Sequence, residues 1–198
     1  MMERLAWRAL IVALAVTVVG PMERHHVAAQ APPTTDIIAA DAVITALLSH
    51  DSDALVAMVR YIGLGCIDAP EGIGAAPLCE VAGVPSGTIV EVLPSVHCET
   101  EYILKTIVPS VLASLAARPA EFYGVLRPAR FAVALPAPAD AQPTPEYAVV
   151  FRHPIAPGPI FTAVHLLDGQ IVALQVIGPC GGLLPARDDP VWVVGPQS

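Results

Sequence analysis

The sequence predicts an α+β domain in which an N-terminal helical hairpin and one long helix pack on a mostly antiparallel sheet of four to six strands. Apolar residues recur at helical spacing after residue 36 and again between residues 99 and 117. Four strand-like apolar segments follow, and Asp168-Gly169 separates the last two. An Asp-Gly pair between two apolar segments is typical of a two-residue hairpin turn.

Composition and charge limit the function classes. The chain has 198 residues, enough for one domain, and 55% of them are hydrophobic, which excludes a disordered polyelectrolyte. The formal net charge is −8, so the chain lacks the basic character of proteins that bind nucleic acid. We expect no nucleic-acid partner.

The N-terminus has the features of an export signal. Arg4 and Arg8 precede an uninterrupted apolar stretch at 9–20, and small residues allow cleavage after Ala29. The apolar stretch is shorter than the ~20 residues that span a bilayer comfortably. We therefore expect a secreted or cell-envelope protein with no integral membrane span after cleavage. An uncleaved anchor is the alternative.

The mature chain divides into three parts in this interpretation. A mobile Pro/Thr leader covers residues 30–36, a single α+β domain covers residues 37–180, and a C-terminal tail covers residues 181–198. Residues 1–29 form the signal peptide.

All four cysteines lie in the exported part. An even number in an oxidising compartment predicts two disulfides, for which three pairings exist. Cys66 and Cys79 flank an aperiodic stretch rich in Gly and Pro, so we predict that they pair and leave Cys98 with Cys180. No Cys-x-x-Cys pair is present, and the spacings fit no zinc module. We expect neither a metal nor another cofactor.

The elements follow in order. Thr35 or Asp36 can cap a first helix, and Ser52 can cap a second. A strand is predicted at 88–93, and a long helix at 99–117 is interrupted by Pro109. Four further strands are predicted at 121–126, 147–153, 160–167 and 170–177, with a short additional strand at 130–134.

The Asp168-Gly169 turn predicts the register of the last hairpin. It places His165 opposite Val172 and Ala163 opposite Leu174. Both faces of this hairpin are mostly apolar, whereas a sheet with one wet face would alternate. We therefore expect helices to cover one face, and the tail, the loops or a second subunit to cover the other.

The order helix, helix, strand, long helix and antiparallel strands resembles the nuclear transport factor 2-like (cystatin-like α+β cone) fold. Residues 47–55, Leu-Leu-Ser-His-Asp-Ser-Asp-Ala-Leu, are similar to the first helix-turn-helix of that superfamily. The segment from Val59 to Cys79 also resembles a family of uncharacterised exported bacterial proteins. The resemblance implies a sheet curved into a cone around the helices.

The resemblance also implies a site, because enzymes of this fold commonly use a His/Asp or Asp/Tyr pair inside the cone. The polar residues that could line such a pocket are His165, Tyr123, Arg127, Tyr147, His153 and Gln175. His165 is the candidate catalytic residue, and burial should lower its pKa below ~6.5. The predicted ligand-binding residues are Phe161, His165, Val172, Leu174, Tyr123 and Tyr147.

These observations favour an exported, disulfide-stabilised small domain that is not an enzyme and that binds a small apolar ligand or a cell-surface partner. One alternative is a cyclase- or isomerase-like enzyme that uses His165 as acid and base in the cone. The other is an assembly module that forms a homodimer through its sheet face. The fold alone does not choose between them.

Overall fold

The computed structural model describes residues 33–69, 76–96, 100–127, 144–155, 158–178 and 184–197. These residues form four helices and eight strands. In chain order they are α1 Ile38–Leu48, α2 Ser52–Ala57, β1 Ile62–Gly65, α3 Cys79–Ala82, β2 Ile89–Val96, β3 Thr100–Leu104, α4 Val108–Ala116, β4 Glu121–Leu126, β5 Tyr147–His153, β6 Ile160–Leu167, β7 Gln170–Ile177 and β8 Trp192–Val194. In the described part of the chain no helix is long and apolar enough to cross a membrane.

The strands form one open, mostly antiparallel sheet in the order β1-β2-β7-β6-β5-β4-β8, with β3 also paired to β2. The exception to antiparallel pairing is β2 with β7, which run parallel where Ser95 lies opposite Leu174. The predicted α+β class is confirmed. The predicted count of four to six strands was wrong, since the sheet has eight. The additional strands β1, β3 and β8 have at most five residues each, too few for a clear alternating pattern.

The helices differ from the prediction in length and capping. Residues 100–104 belong to a strand, and α4 begins only at Val108, with Pro109 in its first turn. The predicted long helix with a kink at Pro109 was therefore wrong. Proline is well tolerated there because the first turn of a helix has no partner for its N–H groups. Asp51, and not Ser52, caps α2, since its carboxylate accepts a hydrogen bond of 2.9 Å from the N–H of Ala54.

The β6–β7 hairpin has the predicted turn and a different register. Asp168 and Gly169 have φ values of 51° and 77°, as a left-handed two-residue turn requires. A bulge follows, because Leu166 lies opposite Ile171 whereas His165 lies opposite Ala173. The register that placed His165 opposite Val172 was therefore wrong. Val172 is the extra residue of the bulge.

The sheet is covered on both faces, as predicted for the hairpin. On the helix face, residues of α1, α2 and α4 pack with the sheet in a buried cluster that includes Ile44, Leu47, Leu112, Phe151 and Ile171. We call the opposite side the outer face. Its buried cluster consists of Leu126, Ala148, Val150, Ala163, Ile177 and Val191, with Leu184 and Trp192 packed against it.

The C-terminal tail contributes to this outer cover. Residues 184–197, which we call the C-terminal strap, contain β8, and β8 pairs with β4. The segment that the sequence sets apart from the domain thus adds a strand to the sheet.

Cys66 and Cys79 form the disulfide that the aperiodic loop predicts, with their Cα atoms 5.0 Å apart. Both residues are buried. The bridge holds β1 next to the short helix α3. The predicted partners Cys98 and Cys180, and the strand predicted at 130–134, lie outside the described residues.

Candidate functional site

His165 lies near the middle of the outer face, on a floor of small side chains. Its directly opposed neighbours are Ala148 on β5 and Ala173 on β7. Ala163 precedes it by two residues on the same strand and therefore shares its face. His165 is only 3% exposed, and the three alanines are equally buried. The imidazole is thus the one large side chain among four neighbouring positions of the sheet.

Gln175 determines which ring nitrogen of His165 carries the proton. The two side chains are hydrogen-bonded with 3.0 Å between His165 Nε2 and Gln175 Oε1. Because the amide oxygen can only accept, Nε2 carries the proton and Nδ1 carries a lone pair. Within the described part of the chain, Nδ1 is buried and has no hydrogen-bond partner.

Burial determines the charge of this histidine. Removal from water lowers the pKa of His165 from 6.5 to about 4, and the hydrogen bond to Gln175 opposes this shift more weakly. The side chain is therefore neutral at pH 7. A neutral imidazole with a fixed tautomer is a good hydrogen-bond acceptor and a weak base.

Two of the six residues predicted to bind a ligand share this outer face with His165. The rings of Tyr123 and Phe161 are 4.9 Å apart in an edge-to-face contact, and both pack against the outer cluster. Tyr123 also contacts Trp192 of the C-terminal strap, with 5.8 Å between ring centroids. Trp192 is not among the predicted site residues, because it lies in the tail, which the sequence indicates as separate from the domain.

The structure does not bring the other three predicted residues to His165. Leu174 and Tyr147 pack with the cluster on the helix face. Val172 is buried at the bulge. For Leu174 the difference follows from the bulge, because the added residue moves the side chains beyond it to the opposite face. Tyr147 lies on β5 opposite Leu166, whose side chain is on the helix face.

His153 is a second buried histidine, and it lies on the helix face of the sheet. It lies two residues after Phe151 on β5, so the two side chains share a face, and Phe151 belongs to the helix-face cluster. Its Nδ1 donates a hydrogen bond of 3.0 Å to the carbonyl oxygen of Pro119, and its buried Nε2 has no partner among the described residues. Burial lowers the pKa of His153 as well. The two histidines are therefore matched in burial and chemistry but lie on opposite faces.

No group of three or more metal-ligating side chains occurs within residues 33–69, 76–96, 100–127, 144–155, 158–178 and 184–197.

Comparisons of the chain with models of protein families, with curated proteins and with solved structures gave no significant match. The site must therefore be interpreted from its own chemistry.

Proposed function

We propose that this protein is an exported binding domain that takes a small, largely apolar ligand, and that the ligand donates one hydrogen bond to Nδ1 of His165. The observation that supports this proposal is the buried Nδ1 on the outer face, which has no hydrogen-bond partner in the part of the chain that the structure describes. The great majority of buried polar groups have a hydrogen-bond partner, so an exception needs an explanation.

The cost of burying Nδ1 of His165 without a partner favours a ligand that can donate a hydrogen bond to it. A buried polar group without a partner costs about 1–3 kcal/mol, and a hydroxyl or N–H group of a ligand would remove that cost. Because Gln175 holds the proton on Nε2, the site discriminates against ligands that can only accept.

The neighbours of His165 define the rest of the ligand. Ala148, Ala163 and Ala173 offer only methyl groups, so they suit an apolar body that lies flat on the sheet. The described sheet neighbours of His165 are uncharged, so a charged ligand would lose its hydration without gaining an ionic partner from them, which is costly. We therefore infer a neutral ligand.

The proposal includes the nuclear transport factor 2-like fold. Its support is the order of the elements: a helical hairpin, early strands, the helix α4, and then the antiparallel strands β4 to β7. Export is supported by the apolar segment at 9–20 and by the disulfide between Cys66 and Cys79.

The enzyme hypothesis ranks second. Its support is that His165 is buried next to a hydrogen-bonding partner, as a catalytic base often is. The partner, however, is an amide and not a carboxylate, and a pKa of about 4 makes His165 a weak base at neutral pH. The assembly hypothesis ranks third, because Ala148, Ala163 and Ile177 of the outer face are buried within the single chain.

The test compares two probes of similar size, phenol and anisole, by calorimetric titration. Phenol can donate a hydrogen bond and anisole cannot, so we expect phenol to bind about tenfold more tightly, which corresponds to about 1.4 kcal/mol. The preference should disappear in His165→Leu. It should persist in His153→Leu, the matched control on the helix face.

Two results would contradict the proposal. Equal binding of phenol and anisole to the wild-type protein would show that Nδ1 does not select a donor. An unchanged preference in His165→Leu would place the bound probe elsewhere.

A further inference from the structure

We propose that the C-terminal strap, residues 184–197, is a gate that opens to give access to the outer face around His165. This inference rests on the proposed function, because it supplies the route by which a ligand would reach Nδ1. The test below needs no ligand, so the two proposals can fail separately.

The strap covers the floor beside the candidate site. Val191 is buried and packs in the same cluster as Ala148 and Ala163, which flank His165. Leu184 packs against that cluster too. Since His165 is only 3% exposed, a ligand cannot reach its ring unless part of the cover of the outer face moves, and the strap is part of that cover.

The backbone of the strap pairs with the rest of the domain along one short edge. Its strand β8 has three residues and pairs with β4, in a register that shifts between its two paired positions. Two backbone hydrogen bonds flank this pairing, from the Arg127 N–H to the Val191 carbonyl at 2.9 Å and from the Gln197 N–H to the Tyr123 carbonyl at 2.7 Å. A short edge strand with few hydrogen bonds belongs to the regions that open at low free energy.

The strap also has internal order that allows it to move as a unit. The indole N–H of Trp192 donates to the carbonyl of Ala186, 2.9 Å away, and the Asp189 N–H donates to the same carbonyl oxygen at 3.0 Å. Separation from β4 would leave these bonds intact.

Gly124 of β4 is the position where the closed strap comes closest. A Cβ atom at Gly124 would lie 2.7 Å from the Val194 carbonyl oxygen and 2.8 Å from Cζ3 of Trp192. Both distances are shorter than real Cβ contacts, so Gly124→Ala requires the strap to shift. Gly195→Ala is the matched control, because a Cβ at this strap position meets nothing within 4 Å.

The experiment measures the rate at which diethyl pyrocarbonate modifies each histidine, by mass spectrometry of peptides from the full chain. A ring nitrogen with a free lone pair, such as Nδ1 of His165 or Nε2 of His153, attacks a carbonyl carbon of the reagent and expels ethyl carbonate. His153 is 2% exposed on the helix face and therefore reports opening of the whole domain. In Gly124→Ala we expect His165 to react about tenfold faster while His153 keeps its wild-type rate. Both rates should stay unchanged in Gly195→Ala.

An unchanged rate at His165 in Gly124→Ala would overturn the gate. A parallel increase at His165 and His153 would overturn it too, because the opening would then be global unfolding. Hydrogen exchange of the wild-type protein is the second measurement, and it does not depend on the variant folding. The amides of Arg127 and Gln197, whose hydrogen bonds join the strap to β4, should exchange with a smaller opening free energy than those of β6. Equal values would show that the strap does not open independently.

Discussion

Acidification should destabilise this protein through His165, and the effect can be isolated with one substitution. Burial lowers the pKa of His165 to about 4 in the folded state, whereas the unfolded chain has the ordinary value of 6.5. Below pH 6.5 the unfolded chain therefore binds a proton that the folded protein does not bind. The stability contributed by neutral His165 is fully present above pH 6.5 and is lost progressively as the pH falls towards 4.

The magnitude follows from the interval over which only the unfolded state is protonated. About pH 5 lies about 1.5 pH units below the pKa of His165 in the unfolded chain. Each pH unit corresponds to about 1.4 kcal/mol of unfolding free energy, so the loss of stability is about 2 kcal/mol. Near pH 4 the folded protein begins to bind the proton as well, and the loss levels off at about 3 kcal/mol.

The assay is urea unfolding of the wild-type protein and His165→Gln at about pH 7.5 and about pH 5. The carboxylates and His153 also titrate, but they are common to both proteins and cancel in the difference. We expect the wild type to lose about 2 kcal/mol more than the variant on acidification. An equal loss in the two proteins would refute the reasoning, because His165 would then have the same pKa in the folded and unfolded states.

Three further predictions concern the covalent and local structure. Replacement of Cys66 and Cys79 together by Ala should lower the free energy of unfolding by about 3 kcal/mol, measured in urea, while a change below about 1 kcal/mol would show that the bridge constrains little. Gly169→Ala should cost about 1–2 kcal/mol, because φ is 77° at that turn position, and an unchanged melting temperature would contradict the left-handed turn. N-terminal sequencing of the exported protein should begin at Gln30, and an intact N-terminus would show that cleavage after Ala29 does not occur.

The strands β4 to β7 could be predicted from the sequence to the residue, because each is a distinct apolar segment bounded by Gly, Pro or Asp. The short strands could not. In β3, Leu104 falls at helical spacing from Val108 of α4, so the local pattern favours a helix there. Pairing with β2, which lies earlier in the chain, makes the segment a strand instead. Such tertiary pairing overrides local preference.

The candidate site shows a different limit of the sequence, because the predicted register places Val172 opposite His165 and Leu174 opposite Ala163, where the structure has Ala173 and Gln175. Residues 171–174, Ile-Val-Ala-Leu, are all apolar, so a slip by one residue leaves the hydrophobic pattern of β7 unchanged. Apolar periodicity therefore cannot locate the bulge at Val172.

Two of the three buried polar residues of the hairpin, His165 and Gln175, contain the information that the apolar pattern lacks. Without the bulge, Gln175 would lie opposite Thr162, and therefore on the helix face, away from His165. With the bulge, Gln175 lies opposite Ala163, and its amide oxygen reaches Nε2 of His165. A buried polar group without a partner costs about 1–3 kcal/mol, so a register that pairs His165 Nε2 with Gln175 is favoured over one that separates the two side chains. The same bulge that pairs Gln175 with Nε2 leaves Nδ1 without a hydrogen-bond partner among the described residues, and so the acceptor of the proposed site follows from the register of the hairpin.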